Sequence, residues 1–144
     1  MDDMSVPNRI PTGGEALLGQ PTQPNRALAR EIAALLTQLP QVLEAHLPQC
    51  FAPDKMSRPA QVLMIVFGSA AGSEHLMSSI QASLARLLPK GTFLDVWPVP
   101  AADPFLEPVR RVGCRILIRT ATGEAAIEDP WSLWNRTLRR LRRH

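Results

Sequence analysis

The residues with the most distinctive chemistry lie at the end of the chain, in an arginine-rich segment. The chain of 144 residues carries 16 Lys and Arg against 13 Asp and Glu. Residues 129–144 hold 5 of the arginines and 1 of the acids, which leaves 11 basic and 12 acidic side chains in residues 1–128. A near-neutral body with a basic end indicates an attached binding element, whereas a uniformly basic domain would point to nucleic acid.

This segment has the pattern of an amphipathic helix. Asp129 followed by Pro130 is a typical helix start, with a capping side chain and then proline at the first helical position. An apolar stripe begins at Trp131 and recurs at steps of three and four residues, and arginines occupy the other faces. The candidate interaction residues are Trp131, Trp134, Arg136, Leu138, Arg139, Arg140, Leu141, Arg142 and Arg143.

Four surfaces fit such a helix. Tryptophan and arginine are preferred anchors of protein interfaces, which favours a protein partner or a homo-oligomer. The stripe fits equally well against the sheet of its own domain, where the arginines would favour the helix C-terminus. Nucleic acid is a weaker alternative because the body has no matching basic face, and an anionic membrane surface is weaker still because the helix is short.

A second candidate is the turn Gly68–Ser73, which lies between an apolar strand and a helix. That is the topology of a phosphate-binding loop, but no lysine follows the glycine and the third glycine of a dinucleotide turn is missing. The alternative function is therefore a small-molecule or anion-binding domain, with or without enzymatic activity, at this turn and Asp95. An ordinary turn explains the same residues.

The histidines and cysteines form no catalytic or metal-binding pattern. His46, His75 and His144 fall on a strand, a helix start and the chain end, and each is interpreted as a surface or half-buried histidine. Cys50 and Cys114 do not have a metal-ligand spacing, and both are interpreted as unreactive strand thiols. We expect no catalytic residues, no metal and no cofactor.

Hydrophobic periodicity predicts the elements that position these residues. Apolar steps of three and four predict helices over 25–39 and 74–88, and a cap followed by proline predicts a short helix over 103–111. Strands are predicted at 16–19, 42–51, 62–67, 93–97 and 114–119. Alternation places Glu44 and His46 opposite the apolar face of their strand, and Arg115 and Arg119 on the solvent side of theirs.

The order of these elements predicts an α+β fold. We expect a mostly antiparallel four- to five-stranded sheet with two helices on one face, as in split βαβ folds, plus a C-terminal amphipathic helix. Residues 1–13 are predicted to be a disordered arm, 14–128 the domain and 129–144 the basic helix, with 121–128 as a linker. The acidic start, the lack of a membrane span and the two cysteines predict a cytoplasmic protein.

Three short blocks resemble a known family. The residues 16–21 (Ala-Leu-Leu-Gly-Gln-Pro), the amphipathic helix after them and the block 39–47 look like the C-terminal domain of SseB, the enhanced serine sensitivity protein. The block 88–96, with Asp95 inside a strand, resembles the next junction of that domain. The resemblance covers residues 14–119 and differs at His46, where an aromatic residue is usual. It implies an interaction or regulatory module, and it transfers no catalytic residues because the family has no established chemistry.

Overall fold

The computed structural model describes residues 6–9, 15–53, 56–68 and 73–132. Within them, the order of elements is β1–β2–α1–β3–β4–β5–α2–β6–α3–β7–β8. The strands are β1 Val6–Arg9, β2 Glu15–Gly19, β3 Val42–His46, β4 Gln49–Phe51, β5 Ala60–Phe67, β6 Asp95–Pro100, β7 Arg115–Arg119 and β8 Ala125–Ile127. The helices are α1 Arg26–Thr37, α2 Ser73–Leu87 and α3 Leu106–Val112.

The predicted α+β class is confirmed. All strand pairs are antiparallel except β5 and β6, which run parallel. Helices α1 and α2 contact each other and both lie against the sheet, in agreement with the predicted pair of covering helices. The described sheet has eight strands, more than the four to five predicted, because three short strands were not recognised as separate elements.

Two segments predicted to be irregular contribute to the sheet. The arm 1–13 includes β1, which pairs with β2, so the expectation of disorder is wrong for residues 6–9. The predicted linker 121–128 includes β8, which forms a hairpin with β7. Gly123 has a φ of +93° in the turn of this hairpin, a conformation that favours glycine.

Strands β3 and β4 form one long strand that changes its neighbour in the middle. Both pair with β5 in a continuous register, since His46 lies opposite Met64 and Gln49 opposite Gln61. On the other side, β3 pairs with β7 whereas β4 pairs with β2, and the change occurs at Leu47 and Pro48. The end of β2 therefore comes close to the start of β7.

The edge formed by β6 is protected against further pairing. The N–H of Ala101 donates to the carbonyl of Phe67 on β5 (2.9 Å), so the odd-numbered residues of β6 direct their backbone groups toward β5. Pro98 and Pro100 have the opposite phase and face outward, where a proline removes the donor that another strand would need.

Helix α1 is capped at its two ends by side chains. The side chain of Asn25 accepts from the N–H of Leu28 (3.0 Å), which confirms the predicted start. At the other end, Arg119 of β7 donates to the carbonyls of Thr37 and Leu39 (both 3.2 Å) and of Val42 (2.8 Å). The prediction that Arg119 faces solvent is only partly correct, because this half-buried side chain also supplies the cation that the last turn of α1 lacks.

Candidate interaction site

The anchor of the predicted C-terminal helix is Trp131, which belongs to the core. Its side chain is 5% exposed, and its indole N–H donates to Oε1 of Gln20 at 2.9 Å. The amide nitrogen of Gln20 donates in turn to the carbonyl of Val112 at 2.6 Å. The indole is thus held where β2 ends and α3 ends, a place created by the change of neighbours along β3 and β4. Of the two alternatives for Trp131, a partner surface and its own domain, the structure shows packing in its own domain, so its assignment as an interaction residue is corrected.

Asp129 forms a second anchor of the same segment. Its Oδ2 accepts from Nη2 of Arg26 at 2.6 Å, and Nη2 of Arg30 lies 3.9 Å away. The hydrogen bond from Arg26 lowers the pKa of the Asp129 carboxyl. Its Oδ1 accepts from the N–H of Trp131 (3.2 Å), two residues further on, and so stabilises the turn at residues 130–131. The two anchors fix the point from which residues 133–144 continue.

The other predicted interaction residues lie outside the described residues. They are Trp134, Arg136, Leu138, Arg139, Arg140, Leu141, Arg142 and Arg143. In sequence, residues 133–144 carry 5 arginines and no acidic residue. The chemistry available to this segment is therefore the attraction of negative charge.

A buried polar cluster joins β3 to α3. His46 is 0% exposed, and its Nε2 lies 3.0 Å from Oε1 of Glu44. Arg110 of α3 donates from Nε to the same oxygen (3.1 Å) and from Nη2 to Oε2. The interpretation of His46 as a surface or half-buried residue is wrong, because Glu44 and His46 are both buried and Arg110 of α3 reaches Glu44.

The environment of the cluster sets its charges. Burial raises the pKa of Glu44, but hydrogen bonds from His46 and Arg110 outweigh it and lower the pKa to about 2. Burial lowers the pKa of His46. An ionised Glu44 only accepts hydrogen bonds, so the proton of neutral His46 is on Nε2. Nδ1 is then an acceptor that has no partner, and protonating it would bury an unpaired N–H as well as a charge.

A further ion pair lies beside this cluster. Nε of Arg115 on β7 donates to Oε1 of Glu128 at 2.6 Å, and the Arg115 side chain is 34% exposed. The prediction that Arg115 faces solvent is therefore only partly correct. The Glu44 cluster therefore links β3 to α3, and the Arg115–Glu128 ion pair links β7 to the end of the β7–β8 hairpin. Because His46 is sealed from solvent, it is not accessible as a general base.

The two thiols are also closed off. Burial raises the pKa of Cys50 to about 11, so its reactive thiolate form is scarce near neutral pH. Cys114 is buried as well. Their positions agree with the interpretation of unreactive strand thiols.

The turn Gly68–Ser73 has a packing explanation at its first residue. A Cβ on Gly68 would come within 3.3 Å of Cδ1 of Leu43, so a side chain there would crowd β3. Residues 69–72 lie outside the described residues, and Ser73 begins α2. Asp95, the other residue assigned to this candidate, is exposed at the start of β6.

An exposed aromatic side chain forms a site that sequence reasoning missed. Phe93, predicted as a strand residue, lies in the loop between α2 and β6 and is 81% exposed. It borders a groove of about 450 Å³ between that loop and the end of α2. The sequence signal for this loop is the break Pro89-Lys90-Gly91 at the end of α2, which separates the helix from β6, the strand beside β5.

A metal-binding cluster and a membrane-spanning helix are both absent from the described residues. There, no group of three His, Cys, Asp or Glu side chains is placed to hold a metal ion. The longest described helix, α2, has 15 residues, fewer than the roughly 20 apolar residues that span a bilayer, and no helix in that part of the chain meets the requirement. Comparisons of the chain with models of protein families, with curated proteins and with solved structures found no match.

Proposed function

We propose that this protein is a cytoplasmic, non-enzymatic protein-interaction module, of the kind implied by its resemblance to the C-terminal domain of SseB. In this proposal, the basic segment 136–143 binds an acidic surface of a protein partner. The observation that carries the proposal is the anchoring of residues 129–131 by Gln20 and Arg26 immediately before that segment.

Anchoring matters because a tethered binding segment loses less freedom on association than a free tail does. The anchored residues just before the segment lie beside α1, where Arg30 comes within 3.9 Å of Asp129. The segment itself carries 5 arginines in sequence. Since residues 1–128 are nearly neutral, attraction of an acidic partner would be concentrated at this one place.

The state of the other chemistry-bearing groups supports a role without catalysis. His46 is buried against Glu44, and the pKa of Cys50 is raised to about 11. The chain has only two cysteines, too few for a disulfide framework, which suits a reducing compartment. These side chains have structural explanations, so none of them calls for a substrate.

The test is binding to immobilised polyglutamate, measured by surface plasmon resonance at low and high salt. We expect Arg139→Gln with Arg140→Gln to weaken binding at least about tenfold, because two charges facing the ligand are lost. The matched control removes two exposed charges elsewhere, Arg58→Gln with Arg111→Gln, and should leave the affinity within about twofold. Equal losses in the two variants would contradict the proposal, as would tighter binding to duplex DNA than to polyglutamate.

Truncation separates a binding segment from one that docks on its own domain. Removing residues 133–144 should leave the unfolding midpoint in urea unchanged while abolishing polyglutamate binding. Removing 129–144 should also destabilise the fold, because Trp131 leaves the core with it. If the shorter truncation destabilises the domain by more than about 1 kcal/mol, the segment is part of the fold and the proposal fails.

A further inference from the structure

The loop between α2 and β6 carries a projection and a depression side by side. Phe93 is the most exposed of the large apolar side chains in the described part of the chain. The adjacent groove has Leu84, Leu88 and Leu94 among its lining residues, so its walls are largely apolar. The exposed ring does not fill this depression, which leaves both apolar surfaces in water.

The charges around the ring are arranged with opposite signs. Lys90 lies three residues before Phe93 and Asp95 two residues after it, and both also line the groove. Both side chains are exposed, and neither has an ion-pair partner among the described residues. A surface that attracts its own copy must be self-complementary under a two-fold rotation. Because Lys90 and Asp95 line the same groove as Phe93 and have opposite signs, a two-fold axis near the ring can pair Lys90 of one copy with Asp95 of the other.

We infer that two copies of this chain associate through this loop, each inserting Phe93 into the groove of the other. The charge pattern argues for a second copy over the chain's own basic segment, because the segment offers arginines to Lys90 and no acid to complement it. Because the outward-facing prolines of β6 have no N–H to donate, the two copies would associate through side chains and not by pairing of their β6 strands. The contact is small, so the dimer is weak.

This inference does not depend on the basic segment, and its test is the oligomeric state of the whole chain. Sedimentation equilibrium at loading concentrations from about 10 µM to about 500 µM should show a mass rising from one copy toward two. Phe93→Ser should remain a monomer over the same range. The control Ile127→Ser removes an apolar side chain that is 45% exposed on β8 and should dimerise like the original chain. Circular dichroism checks that both variants are folded.

Charge reversal gives an outcome that a general loss of apolar surface does not produce. Lys90→Glu alone and Asp95→Lys alone should each weaken self-association at least about tenfold, because like charges then face each other. Mixing the two variants should restore a dimer, since each acidic side chain at these two positions then faces a lysine of the other copy. A monomeric original chain, a dimeric Phe93→Ser or a mixture that stays monomeric would overturn the inference. Polyglutamate binding by Phe93→Ser, whatever its oligomeric state, would show that the proposed function does not depend on the dimer, so the two proposals can fail separately.

Discussion

Two regions of the molecule differ in whether their charged side chains have partners: the buried cluster of Glu44, His46 and Arg110, and the exposed groove beside Phe93. In the cluster, the carboxylate has two partners from the chain itself, one on the same strand and one on α3. In the groove, Lys90 and Asp95 are exposed beside an uncovered ring. The difference separates charges that stabilise the fold from charges that remain available for another molecule.

The largest expected effect comes from breaking the cluster. Glu44→Ala should lower the free energy of unfolding by about 3 kcal/mol, because His46 then has no partner and Arg110 loses its carboxylate. Urea denaturation measures the change. The matched control is Glu128→Ala, whose carboxylate is about one-third exposed and pairs with Arg115, and it should cost less than about 1 kcal/mol. Equal costs would show that burial does not distinguish the two pairs.

The next effect comes from Arg119, which resembles the cluster in being satisfied within the chain. Arg119→Ala should cost about 2 kcal/mol, because the carbonyls at the end of α1 lose charge-assisted hydrogen bonds. Arg119→Lys should recover part of the loss, since a lysine keeps the charge but not the planar set of donors. If both variants unfold at the urea midpoint of the original chain, Arg119 does not cap the helix in solution.

A smaller effect is expected from acid, and its sign follows from burial. The folded pKa of His46 is lowered from 6.5, so the unfolded chain binds the proton more readily and stability falls as the pH drops below about 6.5. The slope is at most about 1.4 kcal/mol per pH unit for one group. A second decline follows from pH 4.5 toward 2, where Glu44 takes up its proton.

Unfolding free energies measured in urea between pH 7 and pH 5 test this assignment. His46→Gln removes the titrating group while keeping an amide that can donate to Glu44, so the decline in this range should flatten. His75→Gln, at an exposed position on α2, is the matched control and should retain the full slope. A slope that is the same in both variants would assign the effect to another group.

The smallest effect on the fold is expected at the groove. Phe93→Ser should change the free energy of unfolding by less than about 0.5 kcal/mol, because the ring is already in water. The same variant should abolish self-association, so the groove and the cluster would differ in both readouts. A decrease of more than about 2 kcal/mol in the free energy of unfolding would mean that the Phe93 ring is packed against the domain in solution. The groove would then not differ from the buried cluster.

Periodic elements could be predicted from the sequence because their pattern depends on near neighbours. Helix α1 begins at the predicted cap Asn25, and α2 differs from its predicted range by one residue at each end. The strand predicted over 93–97 lies at Asp95–Pro100 in the structure. Pro98 and Pro100 predict the end of a strand, but an edge strand can contain proline.

The polar contacts could not be predicted, because their partners are distant in sequence. Glu44 and Arg110 are separated by 66 positions, and Arg119 reaches a carbonyl 82 positions away. Alternation places Glu44 and His46 on a polar face of their strand but does not show that this face is buried or that Arg110 of α3 reaches it. An amphipathic stripe likewise does not show what it packs against, which is why the sequence left a partner and the chain's own domain as equal alternatives for Trp131.

The prolines of β6 have a consequence for the protein at high concentration. An exposed edge strand with free amide donors can pair with a strand of another molecule, and repeated pairing of this kind produces fibrils. Here a molecule arriving at that side would meet two pyrrolidine rings. In concentrated samples, we therefore expect β6 not to be the strand through which ordered aggregates form.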